Sequence, residues 1–184
     1  MEKKYLAVII EGGAEKSIVR VLLDNNLLKF NRTDMLDEDI IQNRNAKTFA
    51  REYLTHGFKD NQISVLRILD SHSERFTIPR AYARVISKIT NIYTSPEIEM
   101  LFIIYNNDFD KFKNQKTDRK GKKLPAHEWC KKYYKMREVK SPDFVYDFWI
   151  KQPEMLVEAI KIYSSKSKDS FENTLASILR DARV

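Results

Sequence analysis

The segment YLAVII, residues 5–10, is a continuous apolar run that is closed by Glu11 and two glycines. A run without alternating polar residues is typical of a strand that is buried on both faces, as the strands of parallel sheets are. Apolar residues then recur at helical spacing, at Ile18, Val19, Leu22, Leu23 and Leu27. The segment therefore predicts a strand, a tight turn and a helix, which is the building block of an α/β fold.

A second strand is predicted over ISVLRILD, residues 63–70, because this run is rich in β-branched and other apolar residues. Ile40 and Ile41 are compatible with a shorter strand between the two. Asn45 is a predicted N-cap of a helix that ends near Gly57. Because strand and helix patterns alternate, the first half predicts an α/β domain with a mostly parallel sheet that is flanked by helices.

Helical patterns dominate the second half of the chain. Ser95 and Ser141 each precede a proline and an acidic residue, the order expected for an N-cap, a first helical position and a first turn. We predict a helix after each serine, although MLFII in the first segment is also a good strand run. Pro79 predicts the start of a helix with an apolar stripe at Tyr82, Val85, Ile86, Ile89 and Tyr93. Two more helices are predicted, one through Leu156, Ala159, Ile160 and Tyr163, and one behind Ser170 through Leu175, Ile178 and Leu179.

Length and composition predict a single soluble domain, 1–184, in the cytoplasm. A chain of 184 residues fits one domain. No apolar run is long enough to span a membrane, and the run after Met1 is too short for a signal peptide. The single cysteine excludes an internal disulfide and fits a reducing compartment. Within the domain we distinguish an α/β core over 5–112, a basic segment over 111–140 and a helical part over 141–184.

The net charge of +7 is concentrated in the basic segment, where twelve Lys and Arg residues face three acidic residues. Such a segment favours a phosphate-rich partner, although a solvated lysine-rich loop has the same composition. Trp129 and Tyr133 would permit base stacking, but their helical spacing favours a place in the core. The residues predicted to bind nucleic acid are Lys113, Lys116, Arg119, Lys120, Lys122, Lys123, Lys131 and Lys132.

Two predicted strands end in a carboxylate, the first in Glu11 and the second in Asp70. If the strands are parallel neighbours, both acids lie at one edge, where their repulsion must be compensated by a cation, a proton or hydrogen bonds. Magnesium, with manganese as the alternative, suits such oxygen ligands. Glu74, Glu97 and Glu99 are the further candidate ligands beside Asp70.

Each of these residues also has a structural interpretation. An acid after a strand is often only the first polar residue of a loop. Glu97 suits the dipole of the helix that follows it, and Glu99 suits a solvent-facing position. His72 is either a catalytic residue or a polar loop histidine. A structural zinc site and a P-loop are not supported, because no second pair of zinc ligands accompanies His127 and Cys130, and EGGAEKS lacks the P-loop lysine motif.

The segments VIIEGGAEKSIVRVLL and VLRILDSH together resemble the two acidic motifs of the Toprim fold, which occurs in topoisomerases, primases, OLD-family nucleases and RloB-like bacterial defence proteins. TSPEIEMLFIIYNNDFDKF is similar to a segment of the RloB-like proteins. The resemblance covers roughly residues 5–112 and implies a Toprim-like core. Its motifs are short.

The resemblance implies that Glu11 is the family's general acid/base or metal ligand and that Asp70 is its first magnesium-binding aspartate. His72 stands where the family has a second aspartate, for which Glu74 or Glu99 would substitute. The implied function is metal-dependent cleavage of nucleic-acid phosphodiester bonds in bacterial defence, with Glu11, Asp70 and His72 as catalytic residues. The alternative is a catalytically degenerate module that binds nucleic acid or a partner ATPase, and a homodimer is left open.

Overall fold

The computed structural model describes residues 5–43, 45–55, 62–94 and 97–180 and shows a mixed α/β fold. Its sheet contains β1 (Tyr5–Ile10), β2 (Ile63–Leu69) and β3 (Ile86–Tyr93), in that order and all parallel. The predicted parallel sheet is therefore confirmed.

Of the seven α-helices in the described residues, two lie between β1 and β2 and five follow β3. Short 3₁₀ turns lie at Arg32–Asp34, Arg80–Val85, Phe171–Asn173 and Leu175–Ile178. The helices are α1 (Gly13–Asp24), α2 (Ala46–Tyr53), α3 (Met100–Tyr105), α4 (Phe109–Lys113), α5 (Ala126–Tyr134), α6 (Pro142–Trp149) and α7 (Pro153–Lys166). None of the helices in the described ranges has the length and apolarity needed to cross a membrane.

The segment 35–41 runs along the free side of β1 and makes two parallel bridges, from Met35 to Leu6 and from Ile41 to Ile9. The amide of Ile41 donates to the carbonyl of Val8 at 2.8 Å. The short strand expected at Ile40 and Ile41 is thus reduced to an isolated bridge. The three strands follow in sequence order, but with this bridged segment counted the chain runs from β1 to one side and returns on the other side as β2. We call this change of direction the reversal of strand order, and ligands of open α/β sheets bind beyond such a point.

The two faces of the sheet carry cores of different size. One face contributes Val8, Ile10 and Leu66 to a main core that α1, α3, α5, α6 and α7 complete. The other face contributes Ile9 and Val65 to a minor core that is covered by α2. The main core therefore joins the α/β half of the chain to its helical half.

The helices α1 and α6 pack against each other and so connect the α/β half to the helical half. The hydroxyl of Ser17 donates to the carbonyl of Pro142 at 2.7 Å. A Cβ atom added to Gly13 would lie 2.6 Å from Cγ of Pro142. A larger side chain at Gly13 would therefore push the two helices apart.

The prediction of a helix that begins at Pro79 is wrong. Residues 80–85 form a 3₁₀ turn, and Ile86, Ile89 and Tyr93 belong to β3. The apolar spacing fits a helix, but β-branched residues such as Ile86 and Ile89 lose side-chain freedom there. Pairing with β2 satisfies the backbone of this segment instead.

The prediction of a helix behind Ser170 is also wrong. Leu175–Ile178 is a 3₁₀ turn, and Leu179 forms an antiparallel bridge with Leu28. Thr174 has extended backbone angles (φ −110°, ψ 158°), which separate this turn from Phe171–Asn173 and prevent a continuous helix behind Ser170.

Other predicted helix boundaries agree with the structure. The side chain of Asn45 accepts hydrogen bonds from the amides of Lys47 and Thr48 and caps α2, whereas Gly57 lies outside the described residues. The helix α6 begins after Ser141 with a proline at its first position. Ser95 lies outside the described residues, and the segment that follows is the helix α3 rather than a strand.

Candidate functional site

Glu11 and Asp70 lie at the carboxyl edge of the sheet, where the strand order reverses. The register pairs Ile10 with Ile68, so Glu11 and Asp70 leave the sheet one residue apart in register. Asp70 is exposed and Glu11 is half-buried. A cavity of about 330 Å³ at the end of β1 is lined by Glu11, Lys16 and Gln42 together with the glycines. We call this region, with Glu15 and Glu99 described below, the acidic edge.

Glu15 is a third carboxylate of this edge that the sequence interpretation missed. It lies in the first turn of α1 and is only 8% exposed. Its side chain folds back over Gly12, where an added Cβ atom would lie 1.8 Å from Oε2 of Glu15. The hydroxyl of Thr94 donates toward Oε1 of Glu15 at 3.4 Å and also lies 3.2 Å from the carbonyl of Leu69. Glu15 thus connects α1 to the ends of β2 and β3.

The environment of Glu15 opposes its ionisation. Burial raises the pKa of Glu15, and the negative charges of Glu99 and Asp70 raise it further. A carboxyl group in this position holds its proton more tightly than an exposed one does. Two lysines also lie at this edge, since Lys16 lines the cavity with Glu11 and Lys140 lies 3.9 Å from Glu99.

Glu99 is buried at 5% exposure, so its interpretation as a solvent-facing residue is wrong. The reason is its position directly before α3, whose residues Met100–Ile104 are all buried. Burial raises the pKa of Glu99, while the ammonium of Lys140, 3.9 Å from Oε1, opposes that shift. The structure thus places Glu99 with Glu15 and not on the surface.

Glu74 and Glu97 have structural partners. Oε2 of Glu74 accepts a hydrogen bond at 2.9 Å from Nη2 of Arg67, a side chain that is 1% exposed. Glu97 accepts hydrogen bonds from the amides of Ala126 and His127 at 3.2 and 3.1 Å and lies 3.0 Å from Nδ1 of His127. Glu74 therefore compensates a buried cation, and Glu97 stabilises the start of α5 rather than of its own helix.

His72 contacts the C-terminal part of the chain. Its ring stacks on Tyr93 with a centroid distance of 3.8 Å, and its Nε2 lies 3.3 Å from Oδ1 of Asp169. Its side chain in this pair is 53% exposed. Its catalytic role stays a prediction.

A cleft of about 640 Å³ lies beside His72, between the loop after β2, α4 and the end of α7. Its lining is largely apolar and includes the buried side chains Met100 and Tyr163 and the half-buried rings of Phe109 and Phe112. Four exposed lysines surround it, namely Lys113, Lys123, Lys166 and Lys168. We call it the lysine cleft, and only the first two of its lysines belong to the predicted nucleic-acid-binding set.

The other predicted basic residues are exposed around a turn or along α5. Oδ1 of Asp118 accepts hydrogen bonds from the amides of Lys120 and Lys122, which orders the glycine-containing turn at Gly121. Lys116 and Arg119 are exposed beside it. On α5, the ammonium of Lys131 lies 2.8 Å from Glu128, and that of Lys132 lies 5.1 Å from the ring centre of Tyr133.

The two aromatic residues of α5 have different surroundings. Trp129 is buried, as predicted, and packs edge-on against Phe112. Tyr133 is 45% exposed, so the prediction that it lies in the core is wrong. Its ring lies tilted by 40° against Trp129 at a centroid distance of 4.3 Å, and Trp129 occupies the core position behind it.

Cys130, on the inner face of α5, is fully buried. Burial raises the pKa of the Cys130 thiol to about 12. Because the thiolate is the reactive form of cysteine, Cys130 is not set up as a nucleophile.

The carboxylates of the acidic edge fit magnesium by ligand type, because Glu11, Glu15, Asp70 and Glu99 all offer hard oxygen donors. In the part of the chain that the structure describes, however, no three Asp, Glu, His or Cys side chains are arranged as a metal site. Holding an ion at this edge would therefore require a change of rotamer, for which exposed Asp70 has the most room.

Comparisons of the chain with known protein families, with curated proteins and with solved structures found no match. The resemblance to Toprim proteins, and the ligand and catalytic roles that it implies, therefore stay predictions.

Proposed function

We propose that this protein cleaves phosphodiester bonds in nucleic acid at the acidic edge, with magnesium or manganese as its metal. The observation that carries the proposal is the position of Glu11 and Asp70 beyond adjacent parallel strands, at the reversal of strand order, with the buried carboxyl of Glu15 beside them. Ligands of open α/β sheets bind at this place. Carboxylate oxygens of this kind are the ligands that magnesium prefers.

The residues of the acidic edge divide the work by their exposure. Asp70, exposed, and Glu11, half-buried, are placed to hold a cation. Burial raises the pKa of Glu15, which favours its protonated form and would suit it to donate a proton to a leaving oxygen. A bound cation would neutralise charge on the phosphate. Glu99 has its pKa raised by burial and adds negative charge near Glu15.

A second function, nucleic-acid binding without cleavage, is favoured by a different observation. Glu74 and Glu97, two of the four predicted metal ligands, have structural partners in Arg67 and in the start of α5. His72 contacts Tyr93 and Asp169. Such a module, with nucleic acid or an ATPase as its partner, would keep the lysine cleft and lose only the chemistry.

The two functions are separated by a cleavage assay on plasmid DNA and single-stranded RNA in magnesium or manganese. Glu11→Gln and Asp70→Asn each remove one charge, and we expect at least a 100-fold loss of cleavage with either variant, of the order expected when an essential catalytic group is removed. Glu154→Gln, an exposed position in the first turn of α7, is the matched control and should cleave as the parent does. Cleavage that persists in both edge variants would contradict the site, and no cleavage by the parent would favour the binding module.

A further inference from the structure

The lysine cleft combines the two properties that an unpaired nucleotide requires. Its volume of about 640 Å³ lies within the range of roughly 300–1,000 Å³ that is usual for ligand pockets. Its lining offers the half-buried rings of Phe109 and Phe112 for contact with a flat base, while Tyr163 is only 8% exposed. Bases stack on such rings regardless of their sequence.

The charge around the cleft favours an anion. Lys113, Lys123, Lys166 and Lys168 face a single acidic lining residue, Asp169, which lies 3.3 Å from His72. Among the residues that the structure describes, no carboxylate lies within salt-bridge distance of these four lysines. The ammonium of Lys166 lies 4.6 Å from the centre of the Phe109 ring, and that of Lys123 donates to a carbonyl, so no carboxylate of the described residues neutralises either charge. A phosphate backbone would supply the missing negative charge.

The wall of the cleft is held in place by hydrogen bonds. The side-chain amide of Gln115 donates to the carbonyls of Phe112 and Leu124 and accepts from the amide of Leu124 at 2.8 Å. The ammonium of Lys123 donates to the carbonyl of Lys113. These contacts fix the segment after α4 against α4 itself, so the lysine-bearing wall is formed before any ligand arrives.

A second exposed ring lies near the cleft. Phe112 packs edge-on against the buried ring of Trp129 at 5.3 Å, and Trp129 contacts the exposed ring of Tyr133 at 4.3 Å. The ammonium groups of Lys111 and Lys132 lie 5.6 and 5.1 Å from the centre of the Tyr133 ring. A second aromatic and basic contact thus lies next to the first on the surface of α4 and α5.

We propose that the lysine cleft receives an unpaired base of a single-stranded nucleic acid, while its lysines bind the adjacent phosphates. The proposal rests on the proposed function and assigns its substrate class, because a duplex keeps its bases stacked inside and offers none to the rings of the cleft. His72 then lies at the wall of the substrate cleft.

The test is fluorescence anisotropy of labelled oligonucleotides with the full chain, in EDTA so that no cleavage occurs. The probes are a 12-residue single strand, the same strand with abasic sites and a duplex of the same length. We expect at least tenfold tighter binding of the intact single strand than of either other probe. Equal binding of the abasic strand or of the duplex would overturn the proposal, as would stronger competition by free mononucleotide than by the oligonucleotide.

Two variants locate the binding. Lys166→Ala with Lys168→Ala should weaken single-strand binding at least tenfold and reduce the salt slope by about 1.4, since each phosphate contact contributes about 0.7 for single strands. Lys88→Ala with Lys151→Ala, which removes two exposed lysines elsewhere, is the matched control and should change the slope by less than about 0.3. Equal effects of both pairs would mean nonspecific attraction and overturn the proposal.

A third variant tests the base contact separately. Phe109→Leu keeps an apolar side chain but removes a ring, so the advantage of the intact strand over the abasic strand should fall several-fold. Circular dichroism checks that the variant is folded. An undiminished advantage would overturn the base contact.

The binding assays and the cleavage assay test different proposals. If Glu11→Gln loses cleavage but still binds, the result supports the acidic edge and does not contradict the cleft. If the protein cleaves but its binding does not depend on the cleft, the cleft proposal is wrong and the acidic edge is not contradicted.

Discussion

The acidic edge and the lysine cleft are built in opposite ways. At the acidic edge, negative side chains are buried together, and Glu15 and Glu99 both have raised pKa values because of burial. At the lysine cleft, positive side chains are exposed around an apolar interior. Burial makes the first site sensitive to proton and cation binding, whereas exposure makes the second sensitive to salt. The two regions therefore differ in the sign of the charge that we propose each of them binds.

The largest expected effect is the dependence of single-strand binding on salt concentration, which should distinguish the lysine cleft from the acidic edge. If all four cleft lysines contact phosphates, raising salt from about 50 to about 200 mM should weaken single-strand binding about 50-fold. Thermal unfolding measured over the same range should change little, because the buried carboxylates are poorly screened. A change in affinity of less than about threefold would contradict the phosphate contacts.

The next effect concerns the acidic edge alone. Gly12→Ala adds a methyl group that would lie 1.8 Å from Oε2 of Glu15, which is closer than the two atoms can approach. Because the buried Glu15 side chain must move, we expect the free energy of unfolding to fall by about 1–3 kcal/mol. Urea denaturation measures this change in the free energy of unfolding. In a background that already carries Glu15→Ala the same substitution should cost much less, and an unchanged cost would show that the clash is not with Glu15.

A smaller effect is expected from Glu15→Gln. The folded protein raises the pKa of Glu15 above 4.5, mainly by burial, so the stabilising proton is fully bound below about pH 4.5 and is lost as the pH rises through the raised pKa. The variant should therefore melt a few degrees higher than the parent near pH 7, as about 1 kcal/mol would produce. The difference should vanish near pH 4.

Glu154→Gln, on the surface, is the control for this pH series and should follow the parent throughout. A parent whose stability rises between pH 5 and pH 8 by more than that of Glu15→Gln would reverse the sign and contradict the raised pKa.

The smallest effect is expected at His72. The His72 side chain contacts Asp169 and Tyr93 but is 53% exposed, so His72→Ala should change the free energy of unfolding by about 1 kcal/mol or less. Asp169→Asn should do the same. If His72→Ala nevertheless reduces cleavage more than tenfold, with binding to the cleft unchanged, His72 acts in the chemistry.

The parts of the fold that depend on local sequence were predictable. The apolar run before Glu11 and the glycines predicted β1 and the start of α1, and Ser141 with its proline predicted the start of α6. The strand β3 was not predictable from its own residues, because the spacing of Ile86, Ile89 and Tyr93 fits a helix equally well. Its pairing with β2 decided the outcome.

The residues of the two sites also differ in how far local sequence predicted them. Glu11 and Asp70 follow strands, so their shared edge was inferred from two local patterns. Glu15 was not a candidate from the sequence, because its partner Thr94 lies 79 residues away. The only local signal was the glycine at position 12, which leaves room for a side chain to fold back. The lysine cleft combines the loop at His72, the end of α4 and the end of α7, so its assembly required the tertiary structure.

The contact between α1 and α6 has a consequence for synthesis on the ribosome. The hydroxyl of Ser17 and the carbonyl of Pro142 are separated by 125 positions in the chain. At roughly 5–20 residues per second, the ribosome needs on the order of ten seconds to make the partner of α1. Throughout that interval the apolar side of α1 lacks the helix that covers it, so the nascent chain is exposed to aggregation until the helical half emerges.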